Sequence, residues 1–370
     1  MAEAPIEANG RGVDIARLET QTGPPIVTPA NTAQARSRAY ALFARVLVAG
    51  PSPETVSLLR QLPTLSGYLP DDVSLDPCAA EHHRLFGLEV YPYAGVFTSD
   101  EALIGQTATD LTQVYARAGF TPTLRDVSPD HLGVQFSFLS FLAGAEADAL
   151  EDGVTDASAH LQGLQRSFLD QHLLMWLPPM LAAIRQQRSS VWTQLVELGA
   201  ELASDQRQQL AGDSAIVTPA ASKVPDLTQE GTSLDHIVSY LLAPKASGVM
   251  LSRGAIVALG RSDELPSGFG SRAVTLRNLI FSAAKYDAWP RLLHELVALV
   301  KVHATVYAEL AKNAYMAPSA HWWQQRTAAT ITMLQAMNDM QHDSAIFSGA
   351  VSASDQATIA MPPGPLNAKE

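Results

Sequence analysis

The stretch SPDHLGVQFSFLSFLAG, residues 128–144, joins a polar start to a run that is apolar on most sides. Ser128 is a residue type that caps helix N-termini, Pro129 suits the first helical position, and a carboxylate at Asp130 meets the helix dipole favourably. We therefore expect a helix that starts here and is buried over most of its surface. This interpretation makes Asp130 a cap and gives His131 no role.

Helical periodicity extends through the rest of the first half of the chain. The segment GPSPE ends one helix and starts the next, with Ser52 as cap and Pro53 at the first position. Thr98 and Glu101 have capping-box spacing, and Gly119 is a helix stop. We find no alternating apolar and polar run that predicts a strand, so the first half is expected to be all-α with about seven helices. Besides the helix from residue 128, helices are predicted from residue 35 to the GPSPE segment and over about 76–86, 99–118, 157–187 with an interruption at prolines 178 and 179, and 190–210.

The second half is predicted to be a smaller helical domain. Residues 212–232 are polar and aperiodic, and a connection of this length is longer than most within a compact domain. The chain is therefore expected to be an all-α protein with a helical bundle followed by a second helical domain of unknown role. Helices in the second half are predicted over 234–242, 272–285, 289–315 and 320–340. The expected units are a flexible arm at 1–32, a first domain at 33–211, a linker at 212–233, a second domain at 234–340 and a tail at 341–370.

Composition excludes several classes of protein. No apolar run approaches the roughly 18 residues of a membrane span, and the first thirty residues lack the apolar core of a secretory signal, so a cytoplasmic protein is expected. The net charge of −12 disfavours nucleic acid as the main partner. Residues 34–212 contain 11 arginines, no lysine and 20 acids, whereas residues 234–340 contain 10 basic residues and 7 acids. The acidic first half could attract a cationic peptide, although solubility alone also explains it.

The residues that carry chemistry are sparse. Cys78 is the single cysteine, which excludes an internal disulfide and a multi-cysteine metal site. None of the ten histidines forms the i, i+4 pair with a glutamate that a helical zinc site uses. No strand-turn-helix elbow surrounds a serine nucleophile. We therefore expect no catalytic residues, no metal and no cofactor, and the sequence favours a binding function.

One alternative is a nucleotide-binding or hydrolytic helical protein. The segment SGFGSRA contains Gly268 and Gly270 ahead of a predicted helix, with Arg272 and Arg277 nearby to attract an anion. No strand precedes this loop, so it lacks the context of a dinucleotide fingerprint. A connector between two helices is the competing interpretation.

Three local signals occur in order in the first half. EHHRLF places Glu81 and Arg84 on a helix, and YPYAGVFTSDE follows at once with Pro92, Tyr93 and Phe97. SPDHLGVQFSFL comes about thirty residues later. Each signal alone has an ordinary explanation as an ion pair, aromatic packing or a helix cap.

Together, these segments resemble the TorD/DmsD/NarJ family of chaperones for molybdenum-containing redox enzymes. The family pattern runs E-x-x-R-L-F, a proline-tyrosine loop and then P-D-H-L opening an apolar helix. The resemblance covers about residues 34–210 and includes FLDQHLLMWLPPML, which is similar to a later H-L-x-x-W segment at His172 and Trp176. It implies a helical bundle that binds the apo-precursor of a molybdoenzyme and its twin-arginine signal peptide, and holds back export until the cofactor is inserted. Molybdenum cofactor maturation factors are a further partner that it implies.

The resemblance also implies a site. Asp130 and His131 correspond to the family's signal-binding pair, with Tyr93 and Pro92 in the adjoining loop; Glu81, Arg84 and Phe97 complete the expected client-binding set. A carboxylate can hold a guanidinium through paired charge-assisted hydrogen bonds. This chain departs from the family at Tyr91, where relatives often have proline, and at Gln135 and Ser137, where a glutamate is common. The competing interpretation is that Asp130 only caps the helix and that His131 hydrogen-bonds inside the protein.

Overall fold

A computed structural model describes residues 28–70, 74–99, 105–123, 127–188, 190–213, 216–262, 265–266, 268 and 270–340. Over these residues the protein is built of helices joined by turns and loops, with one isolated β-bridge and no strand. The predicted all-α fold class is confirmed. The helices are α1 (Pro29–Ala49), α2 (Pro53–Arg60), α3 (Pro63–Ser66), α4 (Leu75–His83), α5 (Ala94–Thr98), α6 (Gln106–Arg117), α7 (Leu132–Glu151), α8 (Thr155–Phe168), α9 (Leu177–Arg185), α10 (Val191–Gln209), α11 (Leu234–Leu242), α12 (Pro244–Ser247), α13 (Arg253–Ser262), α14 (Arg272–Lys285), α15 (Trp289–Leu310) and α16 (Ala317–Met340).

Helix α7 is central to the first half and packs along α1. Eleven of its side chains or glycine positions are buried, which agrees with the apolar run from which it was predicted. The predicted start of α2 is also confirmed, because the Ser52 hydroxyl accepts a hydrogen bond from the Thr55 backbone N–H at 3.2 Å and Pro53 occupies the first position. Two π-helical segments, Arg84–Glu89 and Leu169–Leu173, continue α4 and α8.

The predicted start of α7 at Ser128 is wrong. The helix begins at Leu132, and its N-cap is His131, whose backbone is extended with φ −65° and ψ 137°. The reason is a contact that is distant in sequence, since the Leu132 N–H donates to the Pro92 carbonyl at 2.8 Å and the Ala94 N–H donates to the Asp130 carbonyl at 3.0 Å. These bonds hold residues 130–132 against another loop, so they cannot form a helical turn.

The predicted helix over 99–118 is also corrected. In the described part of this range the helix is α6, which begins only at Gln106, and Ser99 lies outside any helix. Thr98 ends the preceding helix α5, where its hydroxyl donates to the Ala94 carbonyl at 2.9 Å instead of capping a following helix. Glu101, the other half of the predicted capping box, lies outside the described residues. The expected count of about seven helices is too low, because ten helices lie in the described part of the chain before residue 213. The short helices contain too few residues to show periodicity.

Two hydrophobic clusters organise the chain. One contains most of the first half, and the other is formed by α11 to α16. The first cluster also includes side chains from the second half, among them Tyr307 and Trp323. The Trp323 indole N–H donates to the Met175 carbonyl at 2.7 Å, and the Ser319 hydroxyl donates to the same oxygen at 2.9 Å. The two halves therefore share buried contacts, and the predicted domain boundaries stay predictions.

The segment between the halves lies against α16. The indole N–H of Trp322 donates to the Pro219 carbonyl at 3.0 Å, and Arg326 donates to the Ser222 carbonyl at 3.2 Å. None of the helices in the described ranges is both long and apolar enough to cross a membrane. Nor do those ranges contain a group of three His, Cys, Asp or Glu side chains arranged to hold a metal ion.

Candidate functional site

The structure brings the proline-tyrosine loop and the P-D-H-L segment together. Tyr93 and His131 form an antiparallel β-bridge, and their rings meet edge to face with centroids 4.9 Å apart. The backbone bonds of Pro92 and Asp130 flank this bridge. Two segments separated by more than thirty residues thus form one corner at the N-terminus of α7.

Asp130 is partnered on both carboxylate oxygens. Oδ2 accepts a hydrogen bond from the Gly95 N–H at 2.9 Å, and Oδ1 accepts one from the Ser128 hydroxyl. Only 6% of the residue is exposed. A β-carbon at position 95 would lie 2.9 Å from Oδ2, so any larger residue there would force the carboxylate to shift. An ionised carboxylate has about four acceptor sites, so two bonds leave Asp130 with acceptor capacity.

His131 is a neutral cap. Its Nδ1 accepts a hydrogen bond from the Gly133 N–H at 3.0 Å, which places the proton of the neutral ring on Nε2. Burial lowers the pKa of His131 to about 4, and the charge of nearby His82 acts in the same direction. At neutral pH the imidazole therefore contributes a hydrogen bond and a ring face but no positive charge.

The other predicted site residues are placed differently. Phe97 is completely buried and stacks on Trp176 with centroids 5.7 Å apart. Glu81 and Arg84 form a bidentate ion pair with two contacts of 2.8 Å, and Arg84 also donates to the Gln187 side chain at 3.3 Å. Their predicted role in client binding stays a prediction.

A cavity of about 550 Å³ opens beside Asp130. This volume lies within the range of small ligand sites. The cavity has two walls, one from each half of the chain. The first wall comprises Tyr93, Gly95, Val96, Ser99, Gly105, Ala108, Ser128 and Asp130, and the second wall comprises Leu242, Ala243, Pro244, Ser271, Arg272 and Ala273.

The second wall was not predicted as part of this site. Arg272, the first residue of α14, donates from Nη1 to the Leu251 carbonyl at 3.0 Å and contacts the Met250 sulfur at 3.2 Å. Burial lowers the pKa of this guanidinium, which nevertheless keeps its charge at neutral pH because arginine starts from so high a value. The sequence singled out Arg272 only as a neighbour of the glycine loop and carries no local signal that pairs it with Asp130.

The glycine loop adjoins this second wall. Gly268 and Gly270 both have positive φ, 68° and 153°, and both are exposed. Ser271 caps α14 by accepting a hydrogen bond from the Val274 N–H at 3.3 Å. Nucleotide binding by this loop stays a prediction.

Comparisons with known proteins bear on the first half of the chain. Residues 54–182 match the family model described as nitrate reductase delta subunit. Two curated relatives, both named chaperone protein TorD and both from Vibrio cholerae serotype O1, are 38% identical (strain El Tor Inaba N16961) and 36% identical (strain Classical Ogawa 395) over 88 residues. The resemblance to the TorD/DmsD/NarJ family is confirmed for this segment.

The match to the TorD proteins is partial in both directions. The aligned 88 residues are 24% of this chain and 39% of each relative, so the chain spans about two fifths of the length of the TorD relatives it matches. No solved structure matches the chain significantly. The first wall of the cavity lies within the span of the family model, and the second wall lies outside it.

Proposed function

We propose that this protein is a cytoplasmic chaperone, without enzymatic activity, for the precursor of a molybdenum-containing oxidoreductase. In this role it binds the precursor before its cofactor is inserted, recognises the twin-arginine signal peptide and holds back export until maturation is complete. The TorD relatives support the chaperone class. The cavity beside Tyr93 and Asp130 supports peptide recognition, and it is the observation that carries the proposal.

The proposed chemistry at this site is simple. Asp130 offers a carboxylate whose position is fixed by Gly95 and Ser128, and a fixed acceptor loses little entropy when it binds a guanidinium. Charge-assisted hydrogen bonds between arginine and carboxylate are among the stronger polar contacts in proteins. Tyr93 and Val96 supply apolar surface next to this carboxylate for the aliphatic part of the bound side chain.

The partner is identified by affinity purification from the native host. The tagged full chain is isolated gently from cells grown under anaerobic respiration, and the bound chains are identified by mass spectrometry. Enrichment of a molybdoenzyme subunit that keeps its twin-arginine leader is the expected result. Enrichment of a subunit without a leader would overturn signal-peptide recognition, and the absence of any such subunit in cells that express it would overturn the chaperone role.

The Asp130 site has its own test. Asp130→Asn keeps the shape of the side chain and removes its charge, so we expect it to weaken binding of a fluorescent twin-arginine leader peptide by at least about 10-fold, or about 1.4 kcal/mol. Asp110→Asn, which removes the same charge from an exposed position on α6, serves as the control and should leave the Kd near the wild-type value. An unchanged Kd for Asp130→Asn would remove Asp130 from the site.

A further inference from the structure

The second wall carries a positive charge, on Arg272, that has no carboxylate partner among the described residues. The described residues place no carboxylate within 4 Å of the Arg272 guanidinium, and both of its hydrogen-bond contacts use Nη1. Arg272 and Asp130 line the same cavity but do not form an ion pair with each other. The Nε and Nη2 groups of Arg272 therefore remain as donors for a group that enters the cavity.

The arginines that are fully buried among the described residues differ from Arg272, which is half-buried. Arg36 and Arg207 each have a carboxylate nearby, Glu146 at 3.7 Å and Asp170 at 2.6 Å. A guanidinium that loses water without gaining a carboxylate gives up stability, because desolvation of the charge is not repaid. The placement of Arg272 is consistent with a counter-charge supplied by a binding partner.

We propose that Arg272 is a specificity-determining residue that binds an acidic side chain of the client peptide, next to the basic side chain bound by Asp130. This inference rests on the proposed function, since it assumes that a peptide enters the cavity. It assigns the second half of the chain a direct part in choosing the client. The recognised segment then carries an acid near its arginine pair.

The two charges that line the cavity, on Asp130 and Arg272, favour a peptide with both charges over a simple anion. A lone anion near Arg272 would share the cavity with the Asp130 carboxylate, whereas a segment with a basic and an acidic side chain satisfies both walls. Leu242 and Pro244 on the second wall and Val96 on the first provide apolar contacts for the aliphatic parts of the peptide. Charge pairs of this kind contribute chiefly to the choice of partner, because a like charge at the same position is strongly disfavoured.

The test uses leader peptides that differ in one charge. Three fluorescent peptides of equal length share a twin-arginine pair and a leucine-rich stretch, and carry Glu, Gln or Lys at the positions beside the arginines. We expect the full-length wild-type protein to bind the Glu peptide at least about 10-fold more tightly than the Lys peptide. Arg272→Gln should remove this preference, Arg272→Glu should reverse it, and Arg272→Lys should retain part of it.

The control is Arg277→Glu on the same helix. Arg277 is exposed, pairs with Asp235 at 2.9 Å and lies outside the cavity, so this variant should keep the wild-type preference. Circular dichroism melting shows whether each variant is folded. If Arg272→Glu does not fold, the loss of the Glu-over-Lys preference in Arg272→Gln tests the inference.

The outcomes separate this inference from the proposed function. An equal ratio of Glu-peptide to Lys-peptide affinity in the wild type, Arg272→Gln and Arg272→Glu, with binding that still depends on Asp130, overturns the inference and leaves the proposed function in place. A lack of binding by any peptide to the wild type overturns signal-peptide recognition and the inference together. A preference that follows the charge at position 272 supports the inference, and it should persist in Asp130→Asn, which is expected to bind all three peptides more weakly.

Discussion

On the first wall of the cavity the Asp130 carboxylate accepts hydrogen bonds from Gly95 and Ser128, whereas on the second wall the hydrogen-bond contacts of the Arg272 guanidinium with the described residues are to a carbonyl and a thioether. The first wall lies within residues 54–182, which the family model covers, and the second lies in a segment that the family model does not cover. The charged group of the first wall is held in place by hydrogen bonds from neighbouring residues of that wall. The charged group of the second wall has no carboxylate partner among the described residues. This difference suggests that stability and specificity are divided between the two halves.

The prediction with the largest expected effect compares Arg272 with Arg207, a structural arginine that has a carboxylate partner. Arg207 is completely buried and donates to both Asp170 oxygens, at 2.6 and 3.0 Å. Asp170→Ala should lower the free energy of unfolding by about 3–5 kcal/mol, because it leaves the buried Arg207 guanidinium without its carboxylate partner. Arg272→Met, which keeps the bulk of the side chain, should cost less than about 1 kcal/mol. Urea denaturation measures both.

A large loss of stability in Arg272→Met would contradict this prediction. A loss comparable to that of Asp170→Ala would mean that Arg272 holds the second wall together as Arg207 holds the end of α10. The contrast between the walls would then be lost, and a role in specificity would need support from the peptide measurements alone.

The next prediction concerns the pH dependence of stability that two buried histidines, one near each wall, should produce. His131 caps α7 behind the first wall, and His303 accepts a hydrogen bond from the Met250 N–H, at 3.3 Å, behind the second. Burial lowers the pKa of each to about 4, below the value of about 6.5 in an unfolded chain. The unfolded state therefore takes up protons first as pH falls, so stability is full above about pH 6.5 and is lost toward pH 4.

This linkage gives a measurable difference at pH 5. Each histidine should contribute about 2 kcal/mol to the loss of stability between pH 7 and pH 5. His131→Asn, which keeps a capping acceptor, and His303→Gln should each reduce that loss by this amount, whereas His321→Gln at an exposed position should not. A reduction in only one variant would show that the two walls respond differently to acid.

The comparison also shows what sequence can predict here. The apolar run of α7 and the cap at Ser52 were predicted because both depend on residues close together in the chain. The start of α7 at Ser128 was wrong because backbone bonds to Pro92 and Ala94, which are distant in sequence, override a good local cap. The place of Arg272 in the cavity could not be predicted from local sequence either. Arg272 lines the cavity beside Asp130 because α14 packs there, and that packing also depends on residues distant in sequence.

The smallest expected effect tests how tightly the first wall is preorganised. Gly95→Ala places a β-carbon 2.9 Å from Asp130 Oδ2, so the carboxylate must shift and its bond to the backbone N–H at position 95 must weaken. We expect a loss of about 1–2 kcal/mol in thermal unfolding. Gly163→Ala within α8 is the matched control, because a β-carbon there meets nothing within 4 Å and should stabilise the helix by up to about 1 kcal/mol. Equal effects at the two positions would show that the Asp130 carboxylate is free to move, and binding of the client arginine would then cost the entropy of fixing it.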